Sequence, residues 1–532
     1  MVVGRLARVV ATSSAMLLLA VACGNGSSGS NPKQVAGGTM VERLGGDYTA
    51  LDFLGSVLNT PGTLVITAFY DRLVSYDAKG VLTGYVAKSW KTTATTVTFT
   101  VRTDVKCTDG TVLKPSDIAA SVKAVLAAAS LTGASRLFGT GPFTVTSDDA
   151  AATVTVTSGS PFTNMISGFS DPYSSIVCPA GLADPKAMAT KTFGSGPFTL
   201  VSAVHGDAVT GQVRKEWAWG PGSVTAQTPG FPQTLVLKVV DNDTTAANLL
   251  TTGGLDVADI NGADVPRLIA DKSLVHKQSH SYTTFPMIFQ QTPGHPLTDI
   301  ALRQAVSMAV DPAAWNQAAF SGYGTISSSW AAPDAQCYDP ATKNLVATYN
   351  LDKAKTVLQQ AGYTTGGDGK LKDKSGNVVS LKLMGFPNVA AGPEYVLNQL
   401  QKLGINVTLS KLDFATFAQK IRGADWDITW LYIPNEYPLL SANIVFLTGK
   451  LVSQGGQNRA TIQDPAIDDA VKMAMTSQPA DQCKAWATVQ ELVLKGYYLV
   501  PLSAPITNWF SRGIDFVPHS PRTYPISLKR IA

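Results

Sequence analysis

Between residues 379 and 412 the chain reads VSLKLMGF, then a helical stretch from Pro393 to Leu403, then INVTLSKL, with Gly404 at the turn. Two strand-like runs joined by a helix normally close as a right-handed parallel crossover, because only that hand lays the helix back on the sheet. This unit commits the region to α/β architecture, and its neighbours agree. In TDIALRQAVSMAV, Leu302, Ala305, Val306, Ala309 and Val310 follow helical spacing, with Thr298 or Asp299 available as the cap. In NLDKAKTVLQQAG, Ala354, Val357, Leu358 and Ala361 share one face; Asn350 or Asp352 can cap the start and Gly362 supplies the stop. An α/β lobe is expected between about 290 and 490.

The chain before this region has another texture, rich in Thr, Val, Gly and Ser. VTFTVRTDV, residues 97–105, alternates apolar Val97, Phe99 and Val101 with polar Thr98, Thr100 and Arg102, and TVTVT at 153–157 repeats the pattern, so both are expected to be half-buried strands. Clear helical periodicity starts only after residue 295, and the shift predicts a lobe boundary there. A length of 532 residues exceeds one core and predicts three or four domains or lobes. Its 46 Gly and 30 Pro favour many turns over a helical bundle.

Residues 1–22 carry Arg5 and Arg8 ahead of an apolar run of 14 residues from Val9 to Ala22. That run is short of the roughly 20 residues a spanning helix needs, so a cleaved export signal is expected. Cys23 follows Leu19, Ala20, Val21 and Ala22, which resembles the bacterial lipobox, although Ala20 stands where Leu is usual. The resemblance implies that Cys23 becomes the lipid-bearing first residue of the mature chain; the alternative is an ordinary signal peptide with an incidental cysteine. The following GNGSSGSNPK, within a segment 23–37, has the composition of a flexible tether. Lys and Arg number 42 against 38 Asp and Glu, or 40 against 38 without Arg5 and Arg8, with no dense basic run, so no nucleic-acid partner is expected.

Cys107, Cys178, Cys337 and Cys483 form an even set in an exported chain, which permits two disulfides in three pairings. Neighbour pairing is expected, Cys107 with Cys178 and Cys337 with Cys483, each pair inside one lobe of the division given below. No cysteine pair has zinc-site spacing. His276 and His280 are four apart but sit in a strand-like run with no third ligand nearby, so no metal and no cofactor are expected. The chain shows neither GxSxG nor GxxxxGK[ST], and no enzyme activity is expected.

Several stretches resemble one family, the extracytoplasmic solute-binding proteins of the peptide, nickel and opine class (family 5), which deliver ligands to ABC importers. FYDRLVSYDAKGVLTGYVAKSWKTTATTVTFTVRTDVKCTDGTVLKPSDIAASV, residues 69–122, is the strongest match. GSGPFTL at 194–200, DNDTTAANLLTTGGLDVA at 241–258, PLTDIALRQAVSMAVDPAAW at 296–315, LDKAKTVLQQAGY at 351–363 and DWDITW at 425–430 follow in family order. The resemblance implies a two-lobed periplasmic-binding-protein-like α/β fold (class II, cluster C type) with a ligand cleft between lobes. A base subdomain would combine residues 24–72, 194–283 and 497–532, with 73–193 inserted as a smaller subdomain and 284–496 as the second lobe. It further implies a monomer, ABC permease and ATPase subunits as partners, and anchorage by lipid to the outer face of the cytoplasmic membrane.

Most motif residues read as architecture: Asp109 and Gly110 as a turn, and Gly194, Gly196 and Pro197 as a crossing between subdomains. WDITWLYIPNEYPLL, residues 426–440, bears on the ligand. In the family this is a strand and then a loop entering the cleft, and Glu436, Tyr437 and Pro438 fall on its Asp, Tyr and Pro. Peptide-binding members pair that Asp with the ligand's ammonium. Glu436 keeps the charge on a longer arm, while Ile433 replaces a Trp and Tyr432 a Gly, so the pocket is remodelled. Glu436, Trp430, Tyr432, Asn435 and Tyr437 are the candidate ligand contacts here, with core packing the alternative for Trp430. Asn59 and Thr60 in LNTPGT are candidates on the first lobe, and Trp217, Trp219 and Trp509 are further aromatics that could face the cleft. The expected ligand is a short, rather apolar peptide. The alternatives are an oligosaccharide, opine, haem or nickel complex, or a sensory role.

Overall fold

The computed structural model describes residues 37–132, 135–139, 141–431, 439–518 and 523–531. Cys23 and the residues of the loop 432–438, Tyr432, Asn435, Glu436 and Tyr437 among them, lie outside these. No helix among the described residues is long and apolar enough to cross a membrane.

The first of three larger sheets has the strand Thr39–Leu44 at its centre, parallel to Thr234–Val239 on one side and to Val257–Asp259 on the other. Ala208–Val213 and Phe198–Val204 extend it one way, Ser503–Ser511 and Val275–His280 the other, and Gly324–Ile326 also pairs with Ser503–Ser511. Met40, Glu42 and Leu44 alternate along the central strand and are all buried. The helix Thr60–Phe69, buried from Gly62 onward, belongs to the same apolar cluster. Its end is crossed closely by Gly194 and Gly196: a Cβ on Gly196 would lie 2.5 Å from the Phe69 carbonyl carbon, and Gly196 N donates to Phe69 O at 3.1 Å. Only a residue without a side chain fits there.

The second sheet is antiparallel, in the order Ala87–Thr92, Thr96–Val101, Thr153–Ser158, Phe143–Asp148, with the helix Pro115–Thr132 against it. Both alternating runs become strands with Val97, Phe99, Val154 and Val156 buried. The first stops at Val101 and does not reach residue 105, because Arg102 N turns to Val86 O and the Arg102 side chain pairs with Asp104 at 2.8 Å. Asp109 and Gly110 make a tight turn: Asp109 Oδ1 accepts from Thr111 N at 2.9 Å and Gly110 has φ +88°.

The third sheet runs Asn406–Lys411, Ser380–Gly385, Ile428–Trp430, Met287–Phe289, Leu499–Val500. Ser380–Gly385 and Asn406–Lys411 are parallel and joined by the helix Gly392–Lys402, the crossover expected from the sequence. Of the two possible caps for Ile300–Ala309, Asp299 acts, accepting from Ala301 N; Asn350 caps Leu351–Gln360 by accepting from Lys353 N. One large apolar cluster gathers around the first two sheets and another around the third. The chain passes between them at Ser281–Phe285 and returns at Val500–Ser503. This crossing precedes the change in periodicity near residue 295, because the first element of the new core, Met287–Phe289, is a strand. Cys107 is bonded to Cys178 in the first core and Cys337 to Cys483 in the second.

Candidate functional site

In sheets with parallel strands, ligands gather outside the strands' carboxyl ends. Ile428–Trp430 is parallel to Ser380–Gly385, so Gly385, Lys411 and Trp430 finish at one edge. The motif residues before that edge are fasteners. Asp427 Oδ2 accepts from Lys382 N at 2.7 Å and Asp427 Oδ1 lies 2.9 Å from His295 Nδ1, while Thr429 Oγ1 donates to Met384 O at 2.8 Å. Trp430 is fully buried and stacks on Trp315 with ring centroids 6.2 Å apart. Its burial and stacking are those of core packing, the alternative given above.

Beyond Trp430, Leu431 is buried and its N–H donates to Pro286 O at 3.0 Å. After residues 432–438 the chain returns at Leu439, which bridges to Gln336 and packs in the first core, while the adjacent Leu440 packs in the second. Ser441 then accepts from Asn164 Nδ2 at 3.0 Å, and Thr163 Oγ1 donates to Met475 O at 2.6 Å. Thr163 and Asn164 follow the antiparallel sheet of the first core; Ser441 and Met475 sit on helices of the second. Sequence reasoning missed these contacts. Nothing marks residues separated by 277 and 312 positions as neighbours.

On the first core, Asn59 is the N-cap of Thr60–Phe69: its side-chain oxygen accepts from Gly62 N at 2.9 Å and Thr49 N at 3.2 Å, and its amide donates to Asp47 O at 2.7 Å. That oxygen serves the helix start. Thr60 is the first helical residue, and its carbonyl accepts from Thr63 Oγ1. Trp217, Trp219 and Trp509 are all buried. Trp219 Nε1 donates to Asp71 Oδ2 at 2.6 Å, Trp217 Nε1 reaches Asp71 Oδ1 at 3.4 Å, and Trp509 Nε1 donates to Ser279 Oγ at 2.9 Å. A buried indole keeps its place when its N–H finds such an acceptor.

A separate groove of about 490 Å³ runs along the edge strand Phe198–Val204, lined by Tyr48, Leu51, Lys191, Val201 and His205 among others. It draws no residue from the second core, so it is not a space that two lobes enclose. Among the described residues no group of three His, Cys, Asp or Glu could hold a metal ion. His276 lies in the strand Val275–His280, stacked on Phe510 at 4.7 Å.

The sequence model of the bacterial extracellular solute-binding proteins, family 5 (middle region), matches residues 82–450. The chain belongs to this family. Family 5 proteins are the solute-binding components of ABC importers, and this member has their two-lobed α/β fold. It is similar to the glutathione-binding protein GsiB of Escherichia coli O157:H7, 23% identical over 492 residues that cover 87% of this chain and 88% of the relative. Its fold is similar to a substrate-binding protein from Microbacterium hydrocarbonoxydans complexed with 4-hydroxybenzoate hydrazide, with a TM-score of 0.77 and 26% identity over 93% of this chain and 100% of that one. DppA from Helicobacter pylori, in complex with the peptide STSA, gives a TM-score of 0.77 at 17% identity, covering 94% and 99% of the two chains.

Proposed function

We propose that this family 5 protein captures a short, rather apolar peptide between its two cores and presents the closed form to a membrane permease. What supports this reading is the way the segment after the 432–438 loop belongs to both cores: Leu439 packs in the first, Leu440 in the second, and Ser441 is bonded across to Asn164. A solute held beside it meets both walls only when the cores are together. Its binding energy therefore favours the closed population. Glu436 offers a carboxylate for the peptide's ammonium, a pairing strong enough to offset desolvation only at hydrogen-bonding distance. Tyr432, Asn435 and Tyr437, neighbours of Glu436 in sequence, are the further ligand contacts of this reading. Cys23 carries the lipid, and the segment 23–37, with the composition of a tether, joins it to the folded part, a monomer that meets permease and ATPase subunits at the outer face of the cytoplasmic membrane. Its relatives are binding components, and this chain performs no catalysis of its own.

Native mass spectrometry of protein purified from its own cells, followed by denaturing release, identifies the retained solute. A peptide is expected, and a sugar, an opine or a metal complex would replace the peptide reading. Glu436→Gln is expected to weaken binding of an N-terminally free peptide at least tenfold; unchanged affinity would remove Glu436 from the site.

A further inference from the structure

The two cores are joined covalently at Ser281–Phe285 and Val500–Ser503. Away from both crossings they also touch through hydrogen bonds and apolar side chains. Asn164 Nδ2 donates to Ser441 Oγ at 3.0 Å, with Ser441 almost wholly buried. Thr163 Oγ1 donates to Met475 O at 2.6 Å and lies 3.4 Å from Ser477 O, and Thr163 N reaches Met475 O at 3.4 Å. Met475 packs against both apolar clusters, and Leu439 inserts into the first.

We propose that Thr163 and Asn164, with Ser441 and Met475, form a latch that holds a substantial share of the protein closed before solute arrives; its consequence for affinity rests on the solute-capture reading above. The carbonyls of Met475 and Ser477 lie at the end of the helix Pro465–Thr476, where backbone acceptors have no partner within the helix, and Thr163 supplies one. Opening exchanges these contacts for water and re-exposes the Leu439 and Met475 side chains. A neutral hydrogen bond of this kind changes an equilibrium constant by roughly 2- to 12-fold. When binding needs the closed form, the apparent Kd equals the intrinsic Kd divided by the closed fraction. The latch therefore sets affinity without touching the solute. Weakening it raises the apparent Kd by the factor by which the closed fraction falls.

The test uses protein stripped of retained solute by unfolding and refolding with its disulfides intact. Spin labels at Lys91→Cys and Lys402→Cys, both exposed positions on different cores, report the inter-core distance by pulsed electron resonance. The unaltered latch is expected to give a short-distance population that Asn164→Ala, Thr163→Val and, from the opposite wall, Ser441→Ala each reduce several-fold, with unchanged thermal midpoints. A wholly long-distance distribution in the parent, or distributions that the three variants leave alone, would overturn the latch. This measurement needs no solute. Tri-leucine then serves as the affinity probe: a Kd that rises in step with the lost closed fraction extends the latch to binding, and a Kd that stays constant while the closed fraction falls refutes that coupling. If tri-leucine does not bind at all, the peptide reading fails and the distance result stands by itself.

Discussion

Glu42 is a carboxylic acid in the middle of the central strand of the largest sheet, wholly buried, flanked by Leu237 and Val257, with the Thr523 hydroxyl donating to Oε1 and, among the described residues, no partner for Oε2. Burial pushes its pKa from 4.5 up to about 8; the Thr523 hydroxyl opposes the shift and the charge of Asp259 adds to it. Below pH 4.5 the group is neutral folded and unfolded, and its burial carries no charge penalty. Between 4.5 and 8 the unfolded chain has released the proton that the folded chain keeps, so folding takes up a proton and stability falls as pH rises. At about 1.4 kcal/mol per pH unit, the loss between pH 5.5 and 7.5 is roughly 3 kcal/mol, and no more accrues above pH 8. Glu42→Gln removes the titration while keeping an acceptor for Thr523. Its new amide N–H groups cost about 1–3 kcal/mol at every pH, because they are buried without partners. Guanidinium unfolding of both proteins at pH 5.5 and 7.5 should therefore show the variant weaker at pH 5.5 and the gap closing or reversing at pH 7.5. The contributions of other groups cancel in the difference between the two proteins. A difference that stays constant over this interval would refute the reasoning, and would mean that Glu42 is ionised in the fold.

Asn59→Ala is expected to cost about 1 kcal/mol in equilibrium unfolding through the lost cap, and Asn59→Asp, which keeps the acceptor for Gly62 N but loses the donor to Asp47 O, should also destabilise, by roughly 0.5–1.5 kcal/mol. Gly196→Ala should destabilise by roughly 1–3 kcal/mol, because the new methyl group meets the Phe69 backbone and not a side chain that can swing away; an unchanged thermal midpoint would contradict that close approach. Replacing both Cys107 and Cys178 with Ala should cost about 4 kcal/mol by the chain-entropy estimate for cysteines 71 positions apart, read as a lower denaturant midpoint. Non-reducing peptide mapping should recover the Cys107–Cys178 and Cys337–Cys483 pairs, and a Cys107–Cys337 peptide would contradict both.

Local patterns carried much of this architecture. The crossover at 380–411, the caps at Asp299 and Asn350 and the turn at Asp109–Gly110 depend on residues within a few positions of each other, where periodicity and backbone preference act directly. The order of family motifs along the chain was equally legible. Trp430, Trp217, Trp219 and Trp509 were not, because an aromatic residue suits a cleft wall and a core equally well in sequence. Their burial, and an acceptor such as Asp71, 146 and 148 positions from the two tryptophans it binds, have no trace in local pattern. Asn59 carries a related ambiguity: the polar amide that could meet a ligand is the same group that caps a helix.

The sequence by itself determined the class of protein, the strand-helix-strand unit of the second core and the residues available to a ligand loop, since these are matters of local preference and motif order. Only the tertiary structure decided which polar groups were already engaged, why Glu42 holds its proton, and that Asn164 meets Ser441 across the two cores. Those outcomes depend on what surrounds a group after the chain has crossed between the cores twice. Burial and partnership belong to the packed neighbourhood and have no counterpart along the chain.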